Sequence, residues 1–244
     1  TDCHEHNYIS HRDRFDRTPA IEIGKQKQLF VDDFVVAEMH NVAREAGQAR
    51  KLGVVMKPTL PTDFQSGKVH DGPDGGPKFQ SPFCWFFSPY WDSNKKMFRL
   101  WYMAGKREGS GLAYAESKDG IHWTKPMVSK DGKSNLVLAF GLDGSTVYID
   151  PNVPYGAPDK YKCAYFPITG PCQTRLGYSA DGIRWKFYNN AKPVTGRAAD
   201  FSNQIAWDPI KGRYLLLCRE DFAAGGGIGE LRGVRIMEHS KGND

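Results

Sequence analysis

No stretch of eighteen apolar residues occurs in the 244-residue chain, so no membrane-spanning helix is encoded. The N-terminus, Thr1-Asp2-Cys3-His4, has neither the charged leading segment nor the apolar core of a signal peptide. Signal peptides are removed as secreted proteins mature, so secretion stays open. The five cysteines (Cys3, Cys84, Cys163, Cys172, Cys218) form no CxxC pair and no metal-ligand rhythm. Cys84, Cys163 and Cys218 lie in apolar runs and read as buried free thiols. Lys and Arg are scattered, and a net charge of +5 gives no basic stripe of the kind nucleic acid requires. Cys3-His4-Glu5-His6 with His11 holds metal-ligand residue types, but in a terminal arm that we read as idle; no metal is expected. Gly225-Gly226-Gly227 with Gly229 has no strand–helix context, which argues against a phosphate cradle.

What the chain does have is turns and aromatics. Its 26 glycines, 15 prolines and 13% aromatic content suit many short strands separated by tight connections. The internal repeat is more telling. Ser117-Lys118-Asp119-Gly120-Ile121-His122-Trp123 and Ser179-Ala180-Asp181-Gly182-Ile183-Arg184-Trp185 share the pattern S-x-D-G-I-x-W, 62 residues apart. A second repeat keeps step with it: an apolar run, an Asp turn at Asp92, Asp150 or Asp208, then another apolar run, with the aspartates 58 residues apart. Self-similarity at such a period marks an array of supersecondary units. Within the first unit we expect an inner strand at Phe83–Phe87, buried on both faces, then strands at Phe98–Met103 and Leu112–Glu116, and a fourth opening at His122-Trp123. The second unit repeats this at Thr146–Ile149, Tyr161–Phe166, Thr174–Tyr178 and Arg184–Tyr188. The third offers Gln204–Trp207, Tyr214–Arg219 and Val234–His239.

The expected fold is therefore all-β: a β-propeller of four-stranded antiparallel blades. An N-terminal arm covers residues 1–19 and the propeller domain residues 20–244. The blades fall near 20–70, 79–126, 144–188 and 200–240, with Gln28–Val31 and Val35–Ala37 as strands of the first. The third S-x-D-G hairpin is missing, so the ring looks open, with C-terminal blades absent from this stretch.

Gln28-Leu29-Phe30-Val31-Asp32-Asp33, the segment Tyr114 to Pro126, and Trp207-Asp208-Pro209 with Gly212-Arg213-Tyr214 resemble proteins similar to the N-terminal propeller of glycoside hydrolase family 32. The resemblance spans roughly residues 26–240. It implies a five-bladed propeller related to the fructan- and arabinan-cleaving enzymes of families 32 and 43. Those enzymes set three carboxylates at the mouth of the central funnel, in Trp-x-Asn-Asp-Pro, Arg-Asp-Pro and Glu-Cys motifs. None of these motifs is present here, so the roles of those carboxylates are not carried over.

Topology narrows the search for a site. If each inner strand starts at the funnel mouth, the Asp turns and the S-x-D-G hairpins lie at the far end, where their acids cap local backbone and their tryptophans wedge between blades. Trp123 and Trp185 should then be equivalent and largely buried. Glycosidic cleavage needs a proton donor and a second carboxylate about 5–9.5 Å away. Asp200, Glu220 and Asp221 are placed for that work, and Asp33, between two apolar runs, is a fourth candidate. Asn203, Arg219, Arg107 and Gln80 are the candidates for substrate binding, Arg219 through bidentate contact with an acidic group. The expected function is glycoside-hydrolase-like, acting on a polysaccharide or oligosaccharide by acid/base hydrolysis without a cofactor, in an extracellular or secreted setting. The alternative is a non-catalytic propeller that binds carbohydrate or assembles with another protein or chain completing the ring.

Overall fold

The computed structural model describes residues 22–70 apart from 26 and 37, and residues 79–105, 110–169, 173–195, 203–223 and 230–242. The chain divides into two compact units, Thr1–Leu52 and Gly53–Asp244. In the first, the described residues form turns and extended segments but no strand. The strands expected at Gln28–Val31 and Val35–Val36 are thus absent, and Ala37 lies outside the described residues. The local reason is a turn: the Asp32 carboxylate accepts the Phe34 N–H at 2.9 Å, and the Val36 N–H bonds the Asp33 carbonyl.

The second unit is built from antiparallel sheets, with no α-helix among its described residues. A two-stranded sheet pairs β1 (Phe64–His70) with β2 (Phe79–Pro82). The first large sheet holds β3 (Cys84–Asp92), β4 (Met97–Ala104), β5 (Gly111–Ser117) and β6 (Leu136–Leu138) in that order. The second holds β7 (Leu142–Ile149), β8 (Tyr161–Pro167), β9 (Arg175–Ser179) and β10 (Lys186–Phe187). The third has three strands, β11 (Gln204–Asp208), β12 (Arg213–Ala223) and β13 (Glu230–His239). One expected strand moves: the fourth strand of the first sheet is Leu136–Leu138, whereas after His122 the chain makes only a bridge between Thr124 and Glu116.

The two S-x-D-G hairpins match bond for bond. Ser117 Oγ accepts the Gly120 N–H at 2.9 Å, and Ser179 Oγ accepts that of Gly182 at the same distance. Asp119 and Asp181 each accept two following N–H groups at 2.8 Å. Gly120 and Gly182 take φ of +75° and +74°, open to glycine without strain. The tryptophans are both mostly buried but not equivalent as expected, since their ring nitrogens differ in partner. Trp123 Nε1 donates to the Gly120 carbonyl at 3.0 Å. The equivalent carbonyl, that of Gly182, is taken by Trp101 of the first sheet at 2.8 Å, and Trp185 Nε1 has no partner among the described residues. Trp101 is therefore the ring that locks two sheets together.

Successive sheets pack face to face. Trp101, Met103, Leu112 and Tyr114 of the first form one core with Val147, Tyr161, Cys163 and Tyr165 of the second. Ala164 and Leu176 of the second meet Leu216, Ile205 and Met237 of the third. Cys163 and Cys218 are buried free thiols, and Cys84 is a half-buried one whose pKa burial pushes up to about 12.

A buried charge stands inside each packed face. Asp92 at the end of β3 caps its turn through Oδ1, and its Oδ2 accepts the Tyr161 hydroxyl of the second sheet at 2.9 Å. Asp150, just after β7, does the same with Tyr214 of the third sheet at 2.6 Å. Arg99 sits across from Tyr90 and Lys162 across from Tyr148, two residues before the turn aspartate in both sheets, and each pairs with that aspartate, at 3.4 and 2.5 Å. Burial pushes the Asp92 carboxyl up, but the Lys95 N–H, the Tyr161 hydroxyl and Arg99 outweigh it and hold the group below its ordinary value. In the third sheet the matching position is Leu215, across from Ala206. Asp208 caps its turn in the same way, but no hydroxyl among the described residues reaches its second oxygen. Asp208→Asn should change stability by less than about 0.5 kcal/mol. Asp150→Asn, which leaves the buried Lys162 with Asp159 as its remaining acidic partner, should cost about 3–5 kcal/mol. Urea unfolding of the two variants measures the contrast, and equal losses would mean that the Tyr–Asp contact between sheets is not what stabilises this joint.

Candidate functional site

The first strands of the three large sheets are tied sideways. Ser88 Oγ of β3 accepts the Val147 N–H of β7 at 3.3 Å, and Thr146 Oγ1 of β7 donates to the Asn203 carbonyl just before β11. These ties set β3, β7 and β11 side by side around a cleft of about 430 Å³. Phe87, Ser88, Pro89 and Tyr90 form one wall, Thr146 and Val147 the second, Gln204 and Ile205 the third. The volume is in the range of small-ligand sites, which are usually of about 300–1,000 Å³. None of these eight lining residues is charged.

The wall of β3 is shaped by a bulge. Trp85 pairs with Met103 and Ser88 with Trp101, so three steps on β3 answer two on β4. A bulge re-aims the side chains beside it. Phe87 is consequently 51% exposed, its ring stacked at 6.0 Å and 19° on Tyr102 beneath. The apolar run read as buried on both faces thus turns an aromatic ring out to solvent. Tyr90 lies deeper, edge-on to Trp101 at 6.3 Å, and burial raises its phenol pKa. Such a lining offers a flat apolar face, hydroxyls and one amide, the groups that stack on a sugar ring and bond its hydroxyls. A second cavity, about 210 Å³, lies between the second and third sheets, and its walls are chiefly the apolar Leu176, Val194, Leu216 and Met237.

The residues expected from sequence fall in several places. Asn203 is buried beside the cleft, with its carbonyl on Thr146. Gln204 pairs with Leu217, and β12 continues past it, so Arg219, half-buried, and the backbone of Glu220 and Asp221 extend on the Asn203 side of the sheet. The side chains of Glu220, Asp221 and Gln80 lie outside the described residues, as do Asp200, Arg107, the Cys3–His11 arm and Gly225–Gly229. Gln80 stands in β2 across from Val69. Asp33, in the first unit, is ion-paired with Arg44, both partly exposed. No group of three metal-ligating side chains occurs among the described residues. Sequence reasoning did not single out Phe87, Ser88, Tyr90 or Gln204. No motif marks them, since they converge only because three strands from different repeats lie together.

No protein-family model matches the chain, and no curated protein does. Among solved structures, a fructofuranosidase from Schwanniomyces occidentalis, complexed with fructosylnystose, is 13% identical; the match covers 67% of this chain and 33% of that one, with a TM-score of 0.45. A glycosyl hydrolase from Bacteroides ovatus is 14% identical over 62% of this chain and 46% of its own, at 0.40. A protein from the GH130 family of mannoside phosphorylases is 15% identical over 67% and 47%, at 0.38. The chain thus spans between a third and a half of the length of these structures, and likeness at this level places it in no family.

Proposed function

We propose that the three large sheets are successive blades of a β-propeller of the five-bladed kind, and that the cleft between their inner strands takes a segment of a polysaccharide or oligosaccharide. The observation that carries this reading is the exposed Phe87 ring on the wall of an uncharged cleft bordered by three sheets. The ring supplies a stacking platform, while Tyr90, Thr146 and Gln204 supply hydrogen-bonding groups. Hydrolysis by acid and base would draw on Asp200, three residues before Asn203, and on Glu220 and Asp221 of β12, with Arg219 and Asn203 helping to hold the substrate. Arg107 and Gln80 remain candidates for substrate binding, and Asp33 for catalysis. An extracellular glycan fits this reading.

Binding or assembly without cleavage is favoured by one specific observation: the described lining contains no carboxylate. The uncovered face of the third sheet, where Val234 and Ile236 are 74% and 57% exposed, would then receive another protein or chain completing the ring.

Calorimetric titration with fructo-, arabino-, xylo- and manno-oligosaccharides tests the shared part of both readings. At least one neutral oligosaccharide should bind, and Phe87→Ala should weaken that binding by about tenfold or more, as expected for losing burial of a phenyl ring. Its melting temperature should stay near the parent's because the ring is half exposed. Unchanged affinity in Phe87→Ala would remove the cleft from consideration. Release of reducing ends, lost in Asp200→Asn, separates hydrolysis from binding alone.

A further inference from the structure

We propose that the cavity between the second and third sheets binds a small, flat aromatic molecule with one N–H donor, of the indole type. The joint between the first two sheets shows what such a place holds. There Trp101 of β4 stands between Tyr114 beside it and Tyr161 of the second sheet, at ring distances of 5.5 and 5.8 Å. Its Nε1 donates to the Gly182 carbonyl at 2.8 Å. The corresponding residue of the second sheet is an alanine. Trp101 pairs with Ser88 and Ala164 with Thr146, and each partner stands four residues before the turn aspartate of its sheet. Ala164 is equally buried, but it offers the third sheet a methyl group where the first joint has an indole.

The third sheet nevertheless repeats the receiving half of the slot. Tyr214 corresponds to Tyr161. Each stands at the start of the second strand of its sheet and donates its hydroxyl to the turn aspartate of the sheet before. Each ring also lies under a cation, Arg99 at 4.9 Å and Lys162 at 5.4 Å. Across the ladder from the two tyrosines stand Ser179 and His239. Ser179 Oγ accepts the N–H groups of Asp181 and Gly182 at 3.3 and 2.9 Å. His239 Nδ1 accepts those of Lys241 and Gly242 at 3.1 and 2.8 Å. Gly182 and Gly242 share a left-handed backbone, with φ of +74° and +64°. The hairpin turn that reads as missing from the third unit is therefore His239-Ser240-Lys241-Gly242, disguised because a ring nitrogen replaces the serine oxygen. Its Gly242 carbonyl corresponds to the one that holds Trp101.

At this joint a cavity of about 210 Å³ opens between Leu176, Tyr214 and Gly242, with Val194, Leu216 and Met237 around it. Leu176 pairs with Ala164 as Tyr114 pairs with Trp101, so the walls of the cavity match the neighbours of the Trp101 ring one for one. An apolar cavity of about 150 Å³ is enough to take benzene. Indole adds a second ring and a donor suited to the Gly242 carbonyl. Met237 is unbranched and adapts to the outline of a ring. At the rim, Glu238 is paired with Lys211 and Arg213, which leaves the apolar interior to a neutral ligand.

The test uses the whole chain with indole and with benzofuran, which has the same outline but no N–H. Calorimetric titration should show indole binding with a Kd below about 1 mM, and indole should raise the melting temperature in step with its concentration. Benzofuran should bind about threefold or more weakly, the loss of one hydrogen bond. Ala164→Trp fills the slot from within the chain. This variant should melt about 2–4 °C above the parent and bind indole at least about tenfold more weakly. Leu176→Phe narrows the cavity from the facing wall and should weaken indole as well, which decides the matter if the tryptophan variant does not fold. Neither heat nor a melting shift with indole up to its solubility overturns the site, and so does parent-like affinity in a folded Ala164→Trp or Leu176→Phe. Equal binding of benzofuran overturns the bond to the Gly242 carbonyl and the N–H in the ligand class.

Discussion

Arg99→Met should lower the stability of the protein by about 3–5 kcal/mol, the cost of leaving one partner of a buried ion pair behind. Arg99 and Asp92 are both 0% exposed. The guanidinium bonds Asp92, the Tyr114 hydroxyl at 2.8 Å and the Asp181 carbonyl at 2.6 Å, the last belonging to the hairpin of the next sheet. Its carbon lies 4.7, 5.0 and 4.9 Å from the ring centres of Trp101, Tyr114 and Tyr161. Burial by itself would lower the pKa of Arg99, but Tyr114, Tyr161 and Asp92 together raise it, so the charge is retained. Methionine fills similar volume but cannot bond Asp92 or the Asp181 carbonyl, which then stay buried with fewer partners. The double variant Asp92→Asn/Arg99→Met should lose less than the sum of the two single variants, since each single change strands the other group. Guanidinium unfolding gives these values; a loss below about 1 kcal/mol for Arg99→Met would mean that apolar packing alone holds the first two sheets together.

Gly182→Ala should cost about 2–5 kcal/mol, against about 1–2 kcal/mol for Gly120→Ala at the matching place in the first hairpin. Both residues have φ near +75°, so both substitutions carry the strain of a left-handed backbone. The surroundings separate them. A Cβ on Gly182 would stand 2.6 Å from the Trp101 ring and 3.2 Å from both Arg99 Nη2 and Tyr161 Cδ1, whereas on Gly120 its nearest neighbour is the Phe98 ring at an ordinary 3.4 Å. Trp101 cannot retreat without giving up its bond to the Gly182 carbonyl. Thermal unfolding followed by circular dichroism should show the second hairpin variant melting well below the first. Equal losses would show that backbone strain dominates and that the wedge between sheets is soft.

Much of the strand layout was legible in the residues. Phe98–Met103, Leu112–Glu116, Tyr161–Phe166 and Tyr214–Arg219 each fall within an observed strand, because apolar patterning and turn chemistry act over a few residues. The hairpins were legible for the same reason: the Ser and Asp side chains bond N–H groups two or three positions away. The fourth strand of the first sheet was misplaced because that local network satisfies the hairpin without a ladder, leaving Leu136–Leu138 to pair with β5. Asp92 and Asp150 read as local caps, and each is one through a single carboxylate oxygen. The other oxygen bonds a tyrosine 69 or 64 residues further on, which no local pattern announces.

The sequence by itself determined an all-β chain with a repeat of about sixty residues, its turns and most of its strands, since these follow from contacts between near neighbours. Tertiary structure alone decided which oxygen of Asp92 and of Asp150 meets a tyrosine, which carbonyl receives Trp101, and that a bulge in β3 exposes Phe87. It also decided that the first strands of three sheets, each from a different repeat, border one cleft. Those outcomes depend on register, on faces packed between sheets and on partners 57 to 82 residues apart. A one-residue shift within a strand, invisible in composition, sends a side chain to the opposite face.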